Sequence, residues 1–559
     1  MKGILQFLEL IGGLGVFLVG MRIMSDGVHK RSGTQLQKVL HTMTNNRFAG
    51  VLTGLGVTAI IQSSSATTVL LVSLVNAGLI TLKQSIGVVM GANIGTTLTA
   101  WIVSLIGFKF HISSIALPAI AVGLPLYFSK VPKRRETADI LIGFGLLFLG
   151  LGFMKESVPD IKNNPEVLSF LQHWASFGYG SILLFVAIGT LLTIVVQSSS
   201  AAMAITITMA YNGWIDFQVA AAVVLGENIG TTITAYLASM QLNATAKRTA
   251  RAHMVFNLIG VLWMLILFIP FTNLMYKIIP ADPSDPTTLP VHLSLFHTMF
   301  NITNTLLLIG FIDPISRLVE KMVKDDSKPA GREPYRLKLV PENFAEAVDS
   351  NLITIRRELG LMAKEAGDML TTVLDAAGKP DKIEEIHEEL SEREQRIDDM
   401  QEQIIEYLTE CMSFSLGLSQ SRIVTSEQRI ANELESVADS VYGISLLMRK
   451  LYNKGWHIHK KGDQELLDFS VQVLDFIKYN EDYLFGRIEE YDLEKAREME
   501  NGIDKMRSKL RKVSRKKIEK SSKVDVKGEL IFLDIIRHME HIGDSCLNIS
   551  EAIAEAENF

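Results

Sequence analysis

Gln62-Ser63-Ser64-Ser65-Ala66, followed downstream by Gly91-Ala92-Asn93-Ile94-Gly95-Thr96-Thr97, returns as Gln197-Ser198-Ser199-Ser200-Ala201 and Gly226-Glu227-Asn228-Ile229-Gly230-Thr231-Thr232 at an unchanged offset. The same register pairs Thr58 with Thr193, Gly78 with Gly213, Thr99-Ala100 with Thr234-Ala235 and Ser104 with Ser239. A short insertion extends it to Gly13, Gly15, Gly20 and Met24, which match Gly143, Gly145, Gly150 and Met154. Self-similarity of this length marks an architectural repeat. Each Q-S-S-S interrupts a strongly apolar stretch, a poor composition for a helix facing lipid. Non-helical backbone at membrane depth is tolerated only where it is buried in protein or lines a cavity, so both copies mark a polar site at a broken helix.

Outward from these motifs, the chain of 559 residues is 48% hydrophobic and 21% charged, and that average conceals a division. Up to about Leu318, apolar stretches rich in Gly, Ser and Thr follow one another. From about Asp325 onward the sequence is charged, heptad-like helix. A membrane span needs roughly 20 apolar residues. Stretches starting near Gly3, Leu79, Ile140, Phe177, Ile215, His253 and His292 qualify, and Ile112 to Phe128 is a shorter one. The expected fold is all-α: a polytopic membrane protein with two inverted repeats containing re-entrant or broken helices, plus a soluble helical domain of two three-helix bundles.

Inversion follows from charge, because Lys and Arg in short loops favour the cytoplasmic side. Lys130, Lys133, Arg134 and Arg135 form one such loop, Lys247, Arg248 and Arg251 another, and Lys321 and Lys324 follow the last span. The segments from Phe177 to Met240 must then cross once in net, so one of them is broken or re-entrant. Arg22, Lys30, Arg31, Lys38 and Arg47 place the end of the first span inside, whereas its match from Ile140 begins inside. Equivalent spans running in opposite senses are a common plan of secondary transporters. The expected domains are a transmembrane region 1–320, with repeats at about 3–128 and 138–316, a linker 321–341 containing Lys328-Pro329-Ala330-Gly331-Arg332-Glu333-Pro334, and a helical region 342–559. Its helices are predicted near 342–376, 381–415, 419–453, 463–490, 492–520 and 526–556. The first apolar run lacks a small-x-small cleavage site and reads as a retained span.

Several classes are disfavoured. The net charge of −6 and the absence of basic residues interleaved with aromatics argue against nucleic acid. Cys411 and Cys546 form no C-x-x-C or zinc pattern, which suits a reducing compartment. No nucleophile-base arrangement, phosphate-cradling Gly-rich loop or zinc signature points to an enzyme.

The motifs themselves suit ions. A half-helix beginning at Q-S-S-S would turn free N–H groups and the positive end of its dipole toward an anion, with Ser hydroxyls and the Gln62 and Gln197 amides as further donors. Sodium needs compact oxygen ligands, which Asn93, Thr96, Thr97, Asn228, Thr231 and Thr232 offer beside glycines that permit local unwinding. Glu227 replaces Ala92 and is the one break in the motif's symmetry; an ionisable residue at such depth is a functional candidate. His253 and Asn257, and His297 and Asn301, read as polar packing between helices. In the C-terminal half Glu435-Ser436-Val437-Ala438-Asp439 resembles Glu540-His541-Ile542-Gly543-Asp544, and carboxylates at i and i+4 share a face that can chelate a cation.

The duplicated Q-S-S-S and G-x-N-I-G-T-T blocks resemble the sodium/phosphate cotransporters related to the animal type II group, over most of residues 1–320. The tail resembles the PhoU phosphate-regulation proteins over roughly 340–559, through its two E-x-x-x-D helices. The resemblance implies symport of inorganic phosphate with sodium as the coupling ion across a bacterial-type inner membrane. Gln62, Ser63, Ser64, Ser65, Gln197, Ser198, Ser199 and Ser200 would then contact phosphate, and Asn93, Thr96, Thr97, Glu227, Asn228, Thr231 and Thr232 sodium. It further implies a divalent or iron- or zinc-type metal at Glu435, Asp439, Glu540 and Asp544, and a cytoplasmic domain that regulates uptake through a cytosolic partner or a homodimer. The competing reading is a membrane-anchored sensor that binds phosphate without moving it.

Overall fold

A computed structural model describes residues 2–42, 44, 46–108, 113–157, 178–282, 285–324, 335–341, 347–377, 379–414, 416–488, 490–520 and 525–557. The linker residues Lys328 to Pro334 and the expected helix start at 342 lie outside them. Among the described residues every extended element is a helix. The chain separates into two compact units, Met1–Asp326 with Leu339–Ser350, and Ser327–Lys338 with Asn351–Phe559.

The first unit contains α1 (Lys2–Thr42), α2 (Arg47–Ile61), α3 (Ser64–Asn76), α4 (Leu82–Ile102), α5 (Ser113–Tyr127), α6 (Pro132–Ser157), α7 (Tyr179–Val196), α8 (Ser199–Tyr211), α9 (Phe217–Gly230), α10 (Thr232–Ala238), α11 (Ala244–Ile266), α12 (Phe268–Ile278), α13 (Leu289–Leu308) and α14 (Ile312–Met322). Among the described residues, six helical stretches are long and apolar enough to cross a membrane: Leu8–Val28, Leu82–Gly107, Lys133–Ser157, Tyr179–Val196, Ala244–Ile266 and Pro286–Met322. Leu183, Leu191, Val195, Leu262, Ile266 and Leu306 point outward, which suits a lipid surround. The span expected from Ile215 is corrected: it is divided at Thr231 into α9 and α10.

Glycines set the close packing, and they do so identically in both copies. A Cβ on Gly54 of α2 or Gly91 of α4 would strike the facing backbone carbonyl of Val88 or Val51. The equivalents on α7 and α9, Gly189 and Gly226, meet Val223 and Val186 in the same way. Helices in lipid associate through such small-residue contacts because no hydrophobic force separates helix from solvent there. Helices α1 and α6 pair likewise: Gly13 faces Met154, Gly20 faces Leu147, Gly143 faces Met24 and Gly150 faces Phe17. The order runs oppositely along the two helices, so they are antiparallel. Gly13 with Met154 and Gly143 with Met24 are one contact with the copies exchanged, the signature of a local two-fold relation.

The second unit comprises most of α15 (Ala347–Asp375) with α16 (Pro380–Cys411), α17 (Leu418–Asn453), α18 (Gly462–Leu484), α19 (Leu493–Lys520) and α20 (Val526–Glu557). Helices α18, α19 and α20 pack pairwise, α16 packs on α17, and α17 packs extensively on α20. Periodic apolar residues such as Ile397, Ile404 and Leu408 on α16 and Val437 and Ile444 on α17 fill the interior.

One buried acid in this unit makes its stability depend on pH. Glu427 on α17 is 5% exposed and its Oε2 has no hydrogen-bond partner. Burial pushes its carboxyl from an ordinary 4.5 up to about 8, with Arg356 pulling only partly back. The folded state therefore holds this proton more tightly than the unfolded one. The group's stabilising contribution is complete below about pH 4.5 and is lost as pH rises toward 8, on the order of a few kcal/mol in all. Glu427→Gln is expected to remove that decline and raise the melting temperature of this unit at pH 9, measured by calorimetry against wild type at pH 5 and pH 9; parallel losses in both proteins would contradict it.

Candidate functional site

Each Q-S-S-S is a helix junction. Helix α2 ends at Ile61 and α7 at Val196; Gln62 and Gln197 follow with φ of 60° and 55°, the only non-glycine residues of positive φ among those described. Such residues cost energy and persist where the surroundings fix them. Their N–H groups close the preceding helices on the Thr58 and Thr193 carbonyls, both at 2.8 Å. The next residues are caps: Ser63 Oγ accepts from the Ala66 N–H at 3.1 Å and Ser198 Oγ from the Ala201 N–H at 3.2 Å. The N–H groups of Ser64 and Ser65, and of Ser199 and Ser200, thus stand at fresh helix starts without intrahelical acceptors, where the dipole is positive. Ser64 and Ser200 are buried.

The two glutamines differ from each other. Gln62 Nε2 donates to the Ala59 carbonyl at 2.5 Å and its Oε1 accepts from Thr99 Oγ1 at 3.1 Å, so this side chain ties α2 to α4. Gln197 is exposed. The expected unwinding beside the glycines is also corrected. Helix α4 runs unbroken through Gly91 to Thr97 and the second copy is interrupted at Thr231, while the glycines of both copies serve helix contact.

Apart from Thr231, the Asn and Thr side chains of the two G-x-N-I-G-T-T motifs donate to backbone carbonyls one turn back along the chain. Asn93 Nδ2 donates to the Val89 carbonyl and Asn228 Nδ2 to the Val224 carbonyl, both at 2.8 Å. Thr96 Oγ1 donates to the Ala92 carbonyl at 3.1 Å, and Thr97 and Thr232 donate to the Ile94 and Ile229 carbonyls at 2.8 Å. With its single proton so committed, each hydroxyl presents lone pairs, which is what a cation needs. Glu227 is 1% exposed; its Oε1 accepts from Thr206 Oγ1 at 2.7 Å, and its Oε2 has no hydrogen-bond partner.

The two copies meet here. Thr234 Oγ1 donates to Ser65 Oγ at 3.3 Å, α3 packs on α10, and α4 packs on α8. Asn301 on α13 donates to Asn228 Oδ1 at 3.2 Å, the interhelical polar packing expected of it, whereas Asn257 Nδ2 bonds the His253 carbonyl of its own helix. Thr234 is matched to Thr99 by the repeat, whereas Thr206 stands where the first copy has Leu71 and was not singled out by sequence.

The C-terminal acids divide between two clusters. Asp439 lies with Glu394 and Asp398 of α16, one oxygen from each within 4.8 Å of the others. Burial and then Asp439 push the Glu435 carboxyl up, and the same two causes raise Asp398. Asp544 is raised by burial and then Asp504 of α19, and Glu500 by burial, Asp504 and Asp544. Glu540 is instead ion-paired with Arg507, which also reaches Asp504 at 3.1 Å. That pairing lowers the negative field available to a metal in the second cluster. Glu394/Asp398 and Glu500/Asp504 repeat the i, i+4 spacing on the neighbouring helices, a signal present in the sequence among many other acidic pairs. The four sets of carboxyls have the donor chemistry of hard or borderline cations.

Among the described residues, membrane-length helices surround paired internal helix starts, the architecture of a polytopic membrane protein. Residues 16–156 and 170–274 match the Na+/Pi-cotransporter family model, and residues 359–448 and 483–553 match the PhoU domain. The chain thus carries a Na+/Pi-cotransporter family domain and a PhoU domain. It is 30% identical over 325 residues to YjbB of Escherichia coli (strain K12), named as a candidate inorganic phosphate export protein; the match spans 58% of this chain and 56% of that one. It is 29% identical over 312 residues to YqeW of Bacillus subtilis (strain 168), 55% of this chain and 95% of that protein. Sodium-dependent phosphate transport protein 2B of Homo sapiens is 34% identical over 106 residues, 19% of this chain and 15% of its own length. No solved structure matches at a significant level.

Proposed function

We propose that this protein is a sodium-coupled phosphate symporter working by alternating access, with residues 1–320 as the transport domain and 342–559 as a cytoplasmic regulatory domain. The observation that carries this reading is the pair of matched helix starts. Ser64 and Ser65, with Ser199 and Ser200, present free N–H groups and hydroxyls for an oxyanion. The Asn and Thr oxygens of the second motif, with Glu227, are the ligands for sodium; mobile cations then balance the anion. The antiparallel, copy-exchanging contact of α1 with α6 supports inversion of the repeats, and the basic loops support an inner-membrane orientation with the tail inside.

Phosphate uptake into proteoliposomes that requires a sodium gradient is the test, and binding without flux would favour the sensor reading. The carboxyl clusters make the tail a metal-dependent regulator. Asp398→Asn with Asp439→Asn is expected to remove at least half of the metal that co-purifies with the chain, read by elemental analysis; undiminished metal would place it elsewhere.

A further inference from the structure

The two copies serve as each other's control. The offset that maps Gln62 onto Gln197 maps Leu71 onto Thr206 and Ala92 onto Glu227. In the first copy this place holds two fully buried apolar residues; in the second it holds a buried carboxyl and its hydrogen-bond partner, 2.7 Å apart. Packing alone is already satisfied by Leu and Ala, and a buried carboxyl is costly without compensation. A third exchange accompanies them. Thr58 Oγ1 bonds Thr67 Oγ1 at 3.0 Å, but the equivalent of Thr67 is Ala202, and Thr193 Oγ1 is left buried without a partner.

Among the described residues of α7 to α10, three buried side-chain oxygens have no hydrogen-bond partner: Glu227 Oε2, Thr231 Oγ1 and Thr193 Oγ1. Glu227 and Thr231 lie one turn apart, so they share a helix face. Thr193 packs on Gly230 between them in sequence, where an added Cβ would press against it. Among the described residues no basic side chain bonds the carboxyl, whose partner is Thr206. Helices α7, α8 and α10, which pack on α9, contain no Lys, Arg or His. On α11, Arg251 lies over the Tyr236 ring at 3.9 Å, Arg248 donates to the Val323 carbonyl and the buried His253 ring makes no hydrogen bond; on α13 both His292 nitrogens are bonded to carbonyls and the buried His297 leaves its Nδ1 unbonded.

We propose that the second repeat alone holds a carboxylate-bearing site for a small monovalent cation, with Glu227, Thr231 and Thr193 as ligands and Thr206 as the residue that positions Glu227. It rests on the sodium-coupled reading and deepens it: the two halves bind ions with different chemistry, and the charged half dominates sodium affinity. The first half, with Ala92 and the satisfied Thr58–Thr67 pair, has no counterpart.

Sodium binding to the full chain in detergent, in phosphate-free choline buffer, tests this by radiotracer equilibrium. Glu227→Gln keeps shape and is expected to weaken binding at least tenfold, Thr193→Val several-fold, and Thr206→Val several-fold in wild type but not further in the Glu227→Gln background. Equal sodium affinity in wild type and Glu227→Gln would overturn the site, including the outcome in which the carboxyl takes a proton only. Because phosphate is absent, a wild-type chain that binds sodium through Glu227 yet moves no phosphate would sink the transport reading and retain the site.

Discussion

Ser64→Leu and Ser199→Leu are each expected to cut sodium-driven phosphate uptake by at least about a hundredfold, equivalent to losing roughly 3 kcal/mol of interaction with the ion. Each serine opens the helix that follows a left-handed glutamine, so a leucine there withdraws a hydroxyl donor and fills the space before free N–H groups. The protein should remain folded, because the caps are Ser63 and Ser198. Replacing those caps by alanine separates the two roles: about 1 kcal/mol of stability is lost at each. Uptake in Ser64→Leu equal to wild type, in a protein of unchanged melting temperature, would place the anion elsewhere.

Gly91→Val and Gly226→Val carry the largest expected cost to folding. Their Cβ atoms would enter the backbone carbonyls of Val51 and Val186, which cannot rotate away as a side chain can, so α4 must part from α2 and α9 from α7. A loss of more than about 3 kcal/mol follows from overpacking of this kind, seen as loss of folded protein in the membrane. Gly56→Ala is the control. It lies on α2 beside Gly54, a Cβ there meets nothing within 4 Å, and the helix should be unaffected or slightly stabilised. Equal yields of all three variants would contradict the packing role.

The sequence carried the helical class, the division into apolar and charged halves and both helix breaks, because a duplicated serine triplet in apolar surroundings has few physical solutions. The tail helices were legible from their periodicity, and their observed ends differ from the predicted ones by a few residues. Less was legible where one residue type serves two purposes. Glycines of the second motif permit unwinding or close contact, and only the structure shows Gly91 against Val51 and Gly226 against Val186. Gln62 is a donor in isolation but binds Ala59 and Thr99 once folded. In the tail, Glu394/Asp398 and Glu500/Asp504 were hidden among abundant acidic pairs, since i, i+4 spacing says nothing of which helix lies opposite. Arg507 could not be assigned to Glu540 from sequence for the same reason.

The most direct measurement is radiolabelled phosphate flux into liposomes containing the purified full chain, with a sodium gradient imposed or replaced by choline of equal concentration. Accumulation above equilibrium with sodium, collapsing in choline and in Ser64→Leu, is the predicted result. Accumulation of equal size in sodium-free buffer would contradict sodium coupling, and specific phosphate binding with no flux under either condition would contradict transport.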